Sequence, residues 1–276
     1  MEGDGVAVRR AFPTHNLDHL DPFLLLDEMG PTEYGPGEAK GTPEHPHRGF
    51  ETVTYLLAGT LHHRDSGGHT GTLGPGDVQW MTAGAGVVHS ELPGPDLLRD
   101  GGRMHGFQVW VNLPRADKMI PPRYQDVPAA RLPLVRGDDG RVAVRVIAGE
   151  ALGARAPVET RTPILFLHCT AGPGGELAVP APAAFNVFAY VIDGAGRFGR
   201  ERVRAGSGQV VVFSRAGGTI TLACAPDASD PVSVLVIGGQ PLGEPIARYG
   251  PFVMSSEAEI AQAIADYRAG RMGRLT

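Results

Sequence analysis

Four side chains of metal-binding type fall in two pairs. His45 and His47 lie within His45-Pro46-His47-Arg48-Gly49-Phe50-Glu51, and His89 and Glu91 lie within Gly86-Val87-Val88-His89-Ser90-Glu91. Residues i and i+2 of a β-strand share a face. Each pair therefore projects together. If the two strands face each other across a barrel, three imidazoles and one carboxylate converge. Such a set is too polar to bury unpaired, and its residue types suit iron, nickel, copper or zinc. The plain alternative is a group of histidines satisfied by hydrogen bonds. Two i, i+2 pairs of ligand-type residues argue against it.

Other residues could support such a centre. If the strand runs unbroken past His47, Glu51 shares the face of the histidines and can hydrogen-bond a ligating imidazole. Phe50, Trp80, Met81, Phe107 and Trp110 are candidate walls of a flat aromatic pocket, although barrel aromatics are more often plain core. His62 and His63 are adjacent and face opposite sides of a strand. They read as exposed or hydrogen-bonded residues, as do His69 in a Gly-rich turn and His105 at a strand start. His15 and His19 are four apart, but Pro13 and Pro22 flank them and favour a loop. Arg48 points away from the ligand pair, as a surface or inter-strand ion-pairing residue.

The elements that must hold these groups are short strands. The 276 residues include 39 Gly and 24 Pro, which favours turns over long helices. Strands are predicted at Thr52 to Leu57, Val78 to Met81 and His105 to Leu113, with a type II turn centred on Pro75-Gly76. The Pro-rich stretch from Leu113 to Pro133 reads as a linker. Strands resume at 142–147, 164–169, 185–192, 209–213, 219–223 and 232–237, repeating the pattern of the first half. The expected division is a metal-binding barrel over 1–131 and a second over 132–276. The second includes a helix that Ser256 and Glu259 open as a capping box and Gly270 ends.

Composition excludes several classes. The 25 basic and 30 acidic residues form no long cationic run, so direct nucleic-acid binding is not expected. No stretch reaches the ~20 apolar residues of a membrane span, and no signal-peptide core opens the chain. A cytoplasmic location is expected. Cys169 and Cys224 sit in apolar runs and read as buried free thiols.

These motifs resemble the pirin family. The resemblance rests on His45-Pro-His47-Arg-Gly-Phe-Glu51-Thr-Val, Gly76-Asp77-Val-Gln-Trp80-Met-Thr-Ala-Gly84 and His89-Ser-Glu91. In the second half it rests on Phe185-Asn-Val-Phe-Ala-Tyr190 and Tyr249-Gly-Pro-Phe-Val253. It covers nearly the whole chain. It implies an all-β bicupin: two stacked antiparallel β-barrels of jelly-roll type with a C-terminal helix. It implies one mononuclear Fe(II) in the N-terminal barrel, held by His45, His47, His89 and Glu91, with Ni, Cu, Zn and Mn as other divalent occupants. The general cupin pattern takes a Glu soon after its His pair, where Glu51 stands. The pirin pattern takes Glu91 instead. The second barrel is expected to lack metal, since His168 has no partner histidine there.

Family members are described as quercetin 2,3-dioxygenases, and the eukaryotic ones as nuclear transcription coregulators. The implied activity is O2-dependent flavonol ring cleavage releasing CO, with Glu91 serving as ligand and as base. One rival is an iron-dependent redox sensor that binds a regulatory protein partner without physiological catalysis. A second rival is a zinc isomerase or hydrolase. A monomer is expected.

Overall fold

The protein is described by a computed structural model covering residues 3–275. It divides into two compact units. Among the described residues the first takes 3–19, 23–129 and 242–275, and the second takes 20–22 and 130–241. The C-terminal helix had been expected in the second unit. It belongs to the first, because its contacts are with strands of that unit.

In the first unit, β1 (Val8–Phe12), β2 (Phe23–Tyr34), β3 (Thr42–His47), β4 (Phe50–Ala58), β5 (Leu61–Asp65), β6 (Thr70–Leu73), β7 (Val78–Thr82), β8 (Val87–Pro93), β9 (Gly102–Asn112) and β10 (Arg123–Val127) form two sheets. Their spatial orders are β1-β2-β9-β4-β7-β10 and β3-β8-β5-β6. Every neighbouring pair is antiparallel. The inner faces meet where Thr54 of β4 bonds Glu91 of β8. The turn centred on Pro75-Gly76 forms as read. Gly76 has φ +86° and the Asp77 amide bonds the Gly74 carbonyl.

Strand β10 lies inside the stretch read as a linker. It pairs with β7 as an edge strand, and of its five residues only Val127 is buried, so its apolar signal is weak. A short helix, α1 (Pro95–Asp100), follows β8 and has Pro at its start.

The C-terminal helix is α2 (Glu257–Arg268). The Ser256 hydroxyl accepts the Glu259 amide, and the Glu259 carboxylate accepts the Ser255 amide. Ile260 and Ala263 pack with Val88 of β8 and with Ala247, Phe252 and Met254. The sequence makes Arg48 a surface or inter-strand ion-pairing residue; the ion pair forms, but it is buried and its partner is on a helix. Arg48 donates from Nε to the Ala85 carbonyl at 2.7 Å and pairs through Nη1 with Asp266 of α2 at 2.6 Å.

The second unit repeats the plan. Leu134–Arg136, Val142–Ala148, Ile164–Ala171, Val232–Gly239, Asn186–Asp193 and Val210–Phe213 form one antiparallel sheet in that order. Glu176–Pro180, Thr219–Cys224, Ala195–Phe198 and Val203–Gly206 form another. Val, Leu and Ile side chains fill its interior. Cys169 and Cys224 are buried free thiols, and burial pushes the Cys169 thiol up to about 12.

Candidate metal centre

The two ligand-bearing strands are immediate neighbours, and do not face each other across the barrel. His45 of β3 stands opposite His89 of β8 in the antiparallel register, which sets their side chains on one face. The three imidazoles converge. Nε2 of His45 lies 3.0 Å from Nε2 of His47 and 2.9 Å from Nε2 of His89. Two nitrogens bound at about 2.1 Å and at right angles to one metal stand about 3.0 Å apart. The spacing fits that geometry.

The protonation pattern fits as well. Nδ1 of His45 lies 2.8 Å from the Pro43 carbonyl and donates to it, which leaves the Nε2 lone pair directed at the other rings. His47 and His89 are held well below the ordinary histidine range. Burial is the main cause for both. The neighbouring histidines add to it, and the Pro251 carbonyl opposes it at His47. Both rings are therefore neutral, the form that ligates a metal.

Glu91 is buried, and its Oε1 accepts the Thr54 hydroxyl at 3.0 Å. It lines the same cleft as His45 and His47. The group of converging donor atoms comprises the three histidines, and Glu91 stands outside it.

The break between β3 and β4 changes the reading of Glu51. Gly49 takes φ +88°, and a Cβ there would strike the Val253 carbonyl. The strand is interrupted at Arg48-Gly49 and its face parity resets. Phe50 and Thr54 lie on the inner face. Glu51, an odd number of residues from Thr54, turns the other way and accepts the Thr82 hydroxyl at 2.6 Å.

The aromatic candidates separate by the same parity. Phe50 meets the His47 ring edge-on at 5.1 Å and packs on Trp110 at 4.4 Å. Trp110 meets His47 at 5.3 Å and lines the cleft. Trp80 and Phe107 sit one residue from the inward Gln79 and Gln108, so they face the opposite side of the sheet as buried core. Met81 packs with Ala83, Val87 and Tyr124, away from the cleft.

The cleft has a volume of 540 Å³, within the usual range for small-molecule sites. Several of its residues escaped the sequence reading. Arg10 forks onto Asp27 with contacts of 2.8 and 2.7 Å. Gln108 donates to Thr54 at 3.3 Å. Arg248 comes from the C-terminal segment, and its guanidinium lies 4.9 Å above the Trp110 ring. The alternation Leu25, Asp27, Met29 on β2 was the one signal available for these.

Of the remaining histidines, His105 bonds Glu28 at 2.9 Å and His168 bonds Ser233 at 2.8 Å. His19 pairs with Asp18 at the surface.

The comparisons agree with this architecture. Residues 5–111 match the pirin family profile, and residues 166–273 match the profile of the pirin C-terminal cupin domain. A pirin-like protein of Solanum lycopersicum is 44% identical over 274 residues, covering 99% of this chain and 89% of the relative. The chain belongs to the pirin family. Pirin of Homo sapiens is 41% identical, over 99% of this chain and 90% of its own. A crystal structure titled quercetin 2,3-dioxygenase from Acinetobacter baumannii is 39% identical. It superposes with a TM-score of 0.92 over 99% of this chain and 94% of that one. The all-β bicupin expectation is thereby met. Among the described residues no helix is long and apolar enough to cross a membrane.

Proposed function

We propose that this pirin-family chain is a mononuclear iron protein with quercetin 2,3-dioxygenase activity. The observation that carries the reading is the convergence of three imidazoles, with Nε2 of His45 lying 3.0 Å from that of His47 and 2.9 Å from that of His89, at a cleft lined by His45, His47 and Trp110. His45, His47 and His89 would hold the metal, and Glu91, whose carboxylate lies outside their converging donor atoms, would turn toward it as the fourth ligand. Bound Fe(II) supplies Lewis acidity toward the flavonol 3-hydroxyl and 4-keto oxygens, together with redox chemistry toward O2. Nickel, copper, zinc and manganese are chemically admissible occupants of the same donor set.

The chain contributes position and proton handling. The Trp110 face, backed by Phe50, offers a flat surface for a flavonol ring, and Arg248 caps that surface. Glu91 accepts the hydroxyl proton on a carboxylate oxygen, within reach because Thr54 fixes its orientation. The ion pair of Arg10 with Asp27 forms a polar rim. Closure of the cleft by substrate excludes water during the reaction.

The test is oxygen uptake by anaerobically purified, metal-quantified protein given quercetin. Uptake in proportion to iron, with CO released, supports the proposal. One iron per chain with no uptake would sink it and favour a redox-sensing regulatory role. Activity that follows zinc content would point instead to hydrolase or isomerase chemistry.

A further inference from the structure

A second group of metal-binding side chains lies in the first unit, apart from the three histidines just described. His63 of β5, His69 in the β5–β6 turn and Asp126 of β10 bring their donor atoms together. Nε2 of His63 and Nε2 of His69 each lie 3.3 Å from the same oxygen, Oδ2 of Asp126. That is long for a hydrogen bond to a carboxylate, and two rings share one acceptor atom. It is the edge of a tetrahedron whose centre binds each donor at about 2.0–2.1 Å, an edge of about 3.3 Å.

The surroundings hold this arrangement. Gln79 donates to the other oxygen, Oδ1, at 2.9 Å, which leaves Oδ2 turned to the imidazoles. The Tyr124 ring stacks on His69 at 4.6 Å and on His63 at 5.5 Å, fixing both ring planes. Gly71 leaves the space open. A Cβ there would strike His63 Nε2 and come within 2.9 Å of Asp126 Oδ2. His63 is buried, while His69 and Asp126 are 45% and 33% exposed, so solvent reaches one side of the group.

We propose that His63, His69 and Asp126 form a second divalent-cation site of the zinc class, with water as its fourth ligand. The site joins the β5–β6 hairpin to β10. Strand β6 is one edge of its sheet and β10 is one edge of the other. A cation there closes the seam between them and stabilises the barrel that carries the first centre.

The experiment uses the full chain, stripped of metal by chelation and titrated with Co2+ and separately with Zn2+. Four-coordinate cobalt gives intense visible bands, and six-coordinate cobalt gives weak ones. The parent should bind two equivalents, one with intense bands. His69→Gln and Asp126→Asn, both at partly exposed positions, should each weaken that equivalent by at least about 100-fold and remove the bands. Gly71→Ala should do the same while keeping all three donor residues, because its Cβ displaces His63 Nε2. His89→Ala should keep the bands, and its melting temperature should rise with added Zn2+. Adding His69→Gln to His89→Ala should abolish that rise. The proposal is overturned if His69→Gln retains the intense bands at parental affinity. It is equally overturned if His89→Ala shows no such bands.

Discussion

Arg48 connects the strand of His47 to the C-terminal helix, and the strength of that link can be worked out. Its guanidinium is almost fully buried, with Asp266 at 2.6 Å and the Ala85 carbonyl at 2.7 Å. The Asp266 carboxyl lies well below the usual carboxylate range, owing first to Arg48, then to Arg271 and Gln262. Removing one partner of a buried pair costs about 3–5 kcal/mol. Asp266 keeps its bonds from Arg271 and Gln262, so Arg48→Met should fall at the lower end, about 3 kcal/mol. For a domain of this size that is a drop in Tm of about 6–12 °C. The assay is thermal and urea unfolding of Arg48→Met, Asp266→Asn and the double variant. The coupling between the two positions should be about 1–3 kcal/mol. A coupling below about 0.5 kcal/mol would refute the argument that this pair holds the C-terminal segment on the first unit.

Three further predictions follow from groups near the centre. Lys118 is buried with its ammonium on the Gly49 carbonyl, Asn112 Oδ1 and the Val253 carbonyl, and burial lowers it from 10.5 to about 8. Between those values the unfolded chain binds more protons, so stability should rise with pH from 8 to 10.5 by up to about 3 kcal/mol. Urea midpoints should show that rise in the parent and lose it in Lys118→Met. His47 and His89 are depressed below 6.5, so in metal-free protein the unfolded chain takes up their protons first on acidification. Stability should then fall below pH 6.5 by up to about 2.7 kcal/mol per pH unit, and a flat profile between pH 6.5 and 5 would contradict the burial of these rings. Thr54→Val removes the hydroxyl that positions Glu91, at a cost of about 1.5–3 kcal/mol. Quercetin turnover should drop roughly 10-fold or more at unchanged iron content, and unchanged turnover would remove Thr54 from the proton-handling role.

What the sequence revealed was local. The two i, i+2 pairs, the Pro75-Gly76 turn and the Ser256 cap are each carried by neighbouring residues whose chemistry does not depend on distant packing. What it concealed was decided elsewhere in the chain. The Gly49 interruption reversed the facing of Glu51, since a period of two carries no memory across a break. Asp126 was lost in a stretch read as linker, because its edge strand buries only Val127 and so shows no alternating apolar pattern. His63 and His69 were read as bland because their third partner lies 57 residues or more away. Arg248 and Asp266 reach the first unit through a segment that follows the whole of the second. No window of local hydropathy records such a return.

The most direct test of the metal centre is anomalous diffraction from iron-loaded crystals at the iron edge. The account predicts a peak about 2.0–2.2 Å from Nε2 of His45, His47 and His89 together. An iron-loaded crystal with no peak at that position, or with one of those three nitrogens outside bonding distance, would contradict it.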